Sequence, residues 1–328
     1  MNKLILVIKS SSIKVFVALG VLMTYFLYFT TVFVWGSTWY AIACQLGVIP
    51  IDISVFYRFA LASILLFAWC FTKKSTMKFS WKDHILFVFQ GFFQFSMNYL
   101  AAYEATSHIS SGLNAVGFSM ILVFNIMNSA LFFGTRLTAT VFLGALSGLL
   151  GILVIFWPSI MSFDLSNSGI LGIMFSLLCA AFASFGNMIS AYNQKRNIPV
   201  MESNAYGMGY GALWLLLMIF LSGDAFQFDM SFGYVSSLVY LSVLGTIVAF
   251  WSYLTLLGRI GASRAAYVHV LTPVVALMLS TLLEDFVWES HIFVGVGLIL
   301  LGNVIILARK SPKKNSVNLP KGRLVKIA

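Results

Sequence analysis

Ten apolar runs, each about as long as a lipid bilayer is thick, follow one another along the chain with short connectors: 20–44, 52–72, 84–106, 110–134, 138–157, 168–191, 203–222, 233–257, 262–283 and 290–308. About 20 apolar residues in a helix cross the hydrocarbon core. A backbone in lipid must satisfy its own hydrogen bonds, so runs of this length are helices. Composition agrees. Of 328 residues, 60% are hydrophobic and only 9% are charged, where a soluble domain carries about 25%. Too few charges remain to cover a water-facing surface. The fold class expected is an all-α polytopic membrane protein, with the lipid bilayer as its principal partner.

Basic residues set the orientation. With the N-terminus placed in the cytoplasm, every lysine and arginine except Arg58 falls on the inner side, including Lys73, Lys74, Lys78, Lys82, Lys195 and Arg196. The outer connections hold Asp52, Asp164, Asp224, Asp229, Glu284, Asp285 and Glu289 and no base. This is the positive-inside pattern, and it predicts a multi-pass plasma-membrane protein, of the bacterial inner-membrane kind, with both termini cytoplasmic. The net charge of +10 therefore reports topology. The bases flank apolar runs and form no patch, so nucleic acid is not an expected partner. Cys44, Cys70 and Cys179 lie in or beside apolar runs without metal-like spacing and read as small hydrophobes.

The chain also repeats itself at an offset of about 150 residues. "WGSTWYAI" at 35–42 falls on "FGNMISAY" at 185–192, aligning Gly36 with Gly186. Asp52 falls on Glu202, Tyr103 on Tyr253 and Ala115 on Ala265; one further residue aligns Gly144 with Gly295 and Gly151 with Gly302. Five spans per half is an odd number, so the second half enters the membrane upside down. The loops agree: basic "KKSTMKFSWK" at 73–82 corresponds to acidic "GDAFQFDMSF" at 223–232. The expected organisation is a cytoplasmic segment 1–14, a first five-helix repeat 15–160, an inverted second repeat 161–308, and a basic cytoplasmic tail 309–328. Inverted repeats of this kind build many secondary transporters.

Several spans carry polar faces. At about 100° per residue, Gln90, Gln94, Asn98 and Glu104 share one side of the third span, and Asn114, Asn125 and Asn128 one side of the fourth, with Phe118 and Ile121 among them. The first has Thr24, Tyr28, Thr31, Trp35 and Thr38; the sixth has Ser176, Ala180, Ala183, Asn187 and Ala191; the ninth has Ala262, Ala266, His269, Pro273, Ala276 and Ser280. Small and hydroxyl residues also let membrane helices pack closely, and packing is the first explanation of those faces. Gly144, Gly148 and Gly151 on the fifth span suit helix contact for the same reason. Stacked amides are different, because an unpartnered buried amide costs about 2–7 kcal/mol. They either bond to one another across an interface or line a hydrated path between the third and fourth spans; the second reading is preferred.

Arg58 and Glu104 are intramembrane charges in the outer half of the bilayer. Three roles are open: a mutual pair, a substrate contact, or snorkelling of Glu104 to the surface. His269 is the candidate for proton coupling, against a histidine satisfied by a neighbouring carbonyl or hydroxyl. Pro273 is a candidate kink and hinge. Asp83 and Glu202 stand at inner helix starts, suited to capping or to the helix dipole. The sequence contains no GxxxxGK[ST] loop, HExxH, GxSxG or metal-spaced Cys/His set. Neither a cofactor nor a metal is expected, and transport without ATP is favoured over enzymatic activity.

"WGSTWYAI" in the first span, "FYRFALASILLF" in the second, "YLAAYEATSHISSGLNA" across the third and fourth, and "GASRAAYVHVLTPVVALMLSTLLEDFVWE" across the ninth resemble the EamA family of the drug/metabolite transporter superfamily. The resemblance covers nearly the whole chain. It implies two inverted five-helix repeats around a central cavity lined by the first, third, fourth, sixth, eighth and ninth helices, with the fifth and tenth peripheral. Family members mostly export small metabolites such as amino acids; relatives carry nucleotide sugars or triose phosphates. Arg58 matches the arginine of the family's RF pattern. Two departures stand out: Asn125 or a near neighbour replaces a proline common among relatives, and "GERL" appears as "GTRL", Gly134 to Leu137. With Trp251 on the eighth span, the candidate pathway residues are Trp35, Gln90, Gln94, Asn98, Asn114, Phe118, Asn125, Asn187, Trp251 and His269. The expected function is alternating-access export of a small polar or amphipathic metabolite, amino acids foremost. The alternatives are a sugar or nucleotide-type substrate, a membrane-embedded enzyme, or a non-transporting scaffold or receptor. Oligomeric state is left open.

Overall fold

A computed structural model describes residues 2–47, 49–134, 137–161, 168–260 and 268–307, with side chains from Gly20 onward except at 159, 160, 254, 257, 258 and 260. The tail 309–328, Arg136, Asp164, Ala262, Arg264 and Ala266 lie outside these residues. The described residues form ten principal helices: α1 Asn2–Ala43, α2 Ile51–Thr72, α3 Trp81–His108, α4 Ser111–Phe133, α5 Ala139–Ile155, α6 Ser168–Lys195, α7 Val200–Ser222, α8 beginning at Phe232 and ending with Ala249–Ile260, α9 Val268–Leu283 and α10 Ser290–Leu307. A short helix, Trp157–Met161, links α5 to α6. Eight are long and apolar enough to cross a membrane; α5 and α9 are shorter apolar helices. Large apolar side chains such as Leu131, Phe142, Phe220 and Leu282 point outward, as lipid contact requires. The protein is an all-helical, multi-pass membrane protein.

The first helix extends beyond its span. It runs unbroken from Asn2, 42 residues long, with the lipid-length part at Gly20–Ala43, so segment 1–14 does not stand apart from the span in secondary structure. Nothing in 2–19 breaks a helix: there is no glycine or proline before Gly20.

The duplication is visible in the backbone. Three pairs of described residues with positive φ, each about 150 residues apart, end equivalent helices: Gly47 and Asn197, Lys74 and Gly223, Gly134 and Asp285. A left-handed residue after the last turn satisfies free helical carbonyls. The interior is duplicated too. A π-helical segment, Gly91–Met97, interrupts α3, and another, Tyr240–Val248, interrupts α8.

Helix packing shows that the halves run in opposite directions. On α5 and α10, Gly144 faces Gly302 and Gly151 faces Gly295. A Cβ on Gly302 would sit 2.5 Å from the Gly144 carbonyl oxygen, and one on Gly295 would sit 2.6 Å from that of Gly151. The two contacts exchange when each half is mapped onto the other, the mark of a pseudo-two-fold axis, and the helices are antiparallel. α2 and α7 are likewise antiparallel: Ile53 packs with Ile219, and Ser63 Oγ donates to the Ala205 carbonyl at 2.9 Å. The ten helices are two inverted five-helix repeats.

Candidate functional site

Where the halves meet, the bundle encloses a cavity of about 280 Å³. Its walls come from α1, α3 and α4 of the first half and α6, α8 and α9 of the second. These are the helices that the family resemblance implied.

One wall is aromatic. The Trp35 ring stacks on His269 at 5.6 Å between centroids, meets Phe250 at 5.5 Å and Tyr253 at 5.1 Å. Beside it Trp39 lies against Phe118 at 5.2 Å. Close helix approach makes this wall possible: a Cβ on Gly36 would sit 2.6 Å from Val275 of α9, and one on Gly245 of α8 would sit 2.6 Å from Thr38.

The lining also carries amides from three helices. Gln94 Nε2 donates to Asn187 Oδ1 at 3.2 Å, and Asn187 Nδ2 donates to Asn125 Oδ1 at 3.2 Å. Asn98 donates to the Gln94 carbonyl at 3.1 Å and accepts from Cys179 Sγ at 2.9 Å. The π segment of α3 places Gln94 here. It is pressed against α7 through Gly91, whose Cβ would lie 2.6 Å from the Gly207 carbonyl oxygen, and through Ser96 Oγ, which donates to the Gly211 carbonyl at 2.8 Å. π turns inside α-helices concentrate at functional sites.

Of the candidate pathway residues and the candidate hinge, Trp35, Gln94, Asn98, Phe118, Asn125, Asn187, His269 and Pro273 line this cavity. Pro273 does so from inside α9. The others lie elsewhere. Gln90 is fully buried in a junction of α3, α6 and α7, bonded to Gln94, Asn193, Ser203 and Asn204. Asn114 is fully buried against α3, its amide donating to the Ala102 carbonyl and to Thr106 Oγ1, both at 2.8 Å. Trp251 is 44% exposed on the outside of α8, because Phe250 and Tyr253 take the inward face of that turn. Arg58 and Glu104 form no ion pair; the ion pairs among the described residues join Arg196 to Asp83 at 2.6 Å and His291 to Glu289 at 3.5 Å. Asp83 also closes a capping box with Ser80, whereas Glu202 occupies the first turn of α7 behind Pro199.

Sequence reasoning missed Trp39, Tyr99, Cys179, Phe250 and Tyr253. Two signals were present. Trp39 follows Trp35 by one helical turn, and Tyr253 is the repeat partner of Tyr103. Among the described residues, no set of three or more His, Cys, Asp or Glu is placed to hold a metal, and the cavity lining includes no lysine, arginine or carboxylate. The site can offer both hydrogen bonds and aromatic surface.

Comparison with known proteins gives a consistent result. The model of the EamA-like transporter family matches residues 22–157 and again 170–308. An uncharacterized transporter of Archaeoglobus fulgidus is 28% identical over 284 residues, covering 85% of this chain and 97% of the relative. The uncharacterized transporter YoaV of Bacillus subtilis is 23% identical, covering 82% and 91%. A solved crystal structure shares the fold with a TM-score of 0.61 at 15% identity, over 86% of this chain and 96% of that one. With both halves of the sequence matched and the ten-helix architecture in place, the chain belongs to the EamA-like transporter family.

Proposed function

We propose that this membrane transporter moves small amphipathic metabolites, with amino acids the leading class, out of the cell without ATP, by rocking of the two inverted halves about the central cavity. As a member of a transporter family it is not an enzyme. The observation that carries the proposal is the mixed lining of the cavity. A volume of about 280 Å³ lies at the small end of ligand sites. Trp35, Phe118, Phe250 and Tyr253 suit an apolar side chain, while Gln94, Asn98, Asn125 and Asn187 suit a polar head. A lining without lysine or arginine disfavours nucleotides and sugar phosphates, which need cationic partners. The charge bias of the loops supports cytoplasmic termini and a plasma-membrane location. His269, stacked on Trp35 within the cavity, is the residue proposed to couple transport to protons.

Proteoliposomes loaded with labelled amino acids, sugars and nucleotides test this. The expected result is release of one or more amphipathic amino acids without ATP, accelerated by an opposing proton gradient and slowed by Asn187→Leu. Release confined to sugars or nucleotides would overturn the substrate class, and no response to the gradient would remove His269 as the coupling residue.

A further inference from the structure

Arg58 is the one lysine or arginine that the charge pattern does not assign to the inner side, and it is 1% exposed. Its guanidinium lies over the Tyr99 ring, 4.4 Å from the centroid, and 5.4 Å from that of Phe59. Such contacts accommodate a cation but do not neutralise it. Neither Nε nor Nη1 has a hydrogen-bond partner, and no carboxylate forms an ion pair with the group. The Tyr103 hydroxyl adjoins the guanidinium and donates to Gln45 Oε1 at 2.6 Å. Gln45 Nε2, in turn, is buried without a partner. Three unpaired N–H-bearing nitrogens are therefore linked through one tyrosine, at a cation held away from water. Such a set is strongly disfavoured unless a negative acceptor joins it.

Access is short. Tyr99 covers Arg58 with its ring and is itself part of the cavity wall. On another side, α8 presents Gly245, where a Cβ would lie 3.8 Å from Arg58 Nη2 and would collide with the cavity residue Thr38. The glycine there, within the π segment of α8, lets Thr38 of α1 and the backbone of α8 close around the guanidinium.

We infer that Arg58, with Gln45 and Tyr103, forms an anion site behind Tyr99 for one carboxylate or a comparably small monoanion, which Tyr99 opens to or closes from the cavity. The anion has two sources: the carboxylate of a transported amino acid, which rests on the substrate reading above, or a free inorganic ion, which does not.

The test uses purified full-length protein in gluconate buffer, titrated with chloride or formate alone while the melting temperature is followed. At ten times its Kd a ligand of the folded state lowers the apparent unfolding constant about tenfold, so a saturating rise is expected. Arg58→Met should abolish the rise, and Arg58→Lys should keep part of it, having charge without the planar fork. No rise in the native protein, or an equal rise in Arg58→Met, overturns the site. If Arg58→Met fails to accumulate, Tyr99→Ala decides. Phenylglyoxal labelling of Arg58, read by mass spectrometry, should be faster in that variant than in the native protein and slowed by chloride or formate; labelling indifferent to both overturns the proposal. Phenylalanine and phenylalaninamide identify the source. Stabilisation by the acid and not the amide assigns the site to substrate carboxylate. Stabilisation by chloride with neither assigns it to a resident ion, and the anion site then stands whether or not the proteoliposome assay finds amino acid transport.

Discussion

Gln90 and Gln94 lie one turn apart on the same helix, yet replacing each by methionine, a similar unbranched side chain, should damage different properties. Gln90 makes four hydrogen bonds in a dry junction: Nε2 donates to Asn204 Oδ1 at 3.0 Å and Gln94 Oε1 at 3.2 Å, and Oε1 accepts from Ser203 Oγ at 2.9 Å and Asn193 Nδ2 at 3.2 Å. At roughly 0.6 kcal/mol for each such bond in a membrane protein, their loss amounts to about 2 kcal/mol. Asn204 Oδ1 is then stranded where Gln90 was fully buried, which adds about 1–3 kcal/mol. Gln90→Met should thus cost about 3–5 kcal/mol of stability. Gln94→Met removes two bonds, those to Gln90 and Asn187, but their partners border the cavity or keep other partners, so the cost is about 1 kcal/mol. Its principal effect should be on transport, since Gln94 lines the cavity. Melting curves in detergent and initial rates in proteoliposomes, normalised to folded protein, measure both. If Gln90→Met melts like the native protein while its normalised transport collapses, Gln90 lies on the substrate path and the reasoning from its bonds is wrong.

A reporter fused after residue 78 should be cytoplasmic and one at Asp229 external; the opposite pattern would refute the orientation read from the loop charges. In a background without Cys44 and Cys70, a small water-soluble thiol reagent should modify Cys179, which lines the cavity, and inhibit transport; substrate should protect it. With Cys179 also removed, Asn98→Cys should react in the same way, whereas Asn114→Cys should stay inert because that position is fully buried against α3. Gly302→Val should abolish accumulation of folded protein, because its Cβ meets the Gly144 backbone and overpacking costs about 1–3 kcal/mol even where neighbours can yield. Gly297→Val on the same helix, with open space around it, should express normally.

Architecture was legible because lipid imposes simple rules. A helix must be long and apolar, and bases near its ends bias its orientation; ten runs and one charge asymmetry were enough to propose inverted halves. The site was legible only in part. A polar stripe shows that Gln90, Gln94 and Asn98 avoid lipid, but periodicity does not say whether an amide meets water or another amide. Gln90 and Asn114 found protein partners; Gln94 and Asn98 found the cavity. The angular argument also assumed an unbroken α-helix, whereas Gly91–Met97 is π-helical and each residue advances less around the axis. No local signal in "GFFQFSM" announces that turn. What holds it, Gly207 and Gly211 of α7, lies more than a hundred residues away. Arg58 and Glu104 failed to pair for a related reason: similar depth in the bilayer does not place two side chains on facing surfaces.

The frame is symmetric while the chemistry of its cavity is not. At the repeat offset, Gln94 corresponds to Leu244, Asn98 to Val248, Asn125 to Val275 and Asn187 to Ser37. All four amides thus lost or never had an amide counterpart. In the other sense, Trp35 and Phe250 of the aromatic wall correspond to Phe185 and Leu100, neither of which lines the cavity. Two interchangeable halves would present the same groups to both ends of a substrate and would hold an amphipathic molecule no better one way than the other. Amides on α3, α4 and α6, and aromatics that include Trp35 and Trp39 of α1 and Phe250 and Tyr253 of α8, would under the proposed function tell the two ends of such a molecule apart. If the halves rock as proposed, the duplicated π segments and glycine contacts are the symmetric scaffold for the motion, and the broken polar symmetry would let one substrate orientation persist through it.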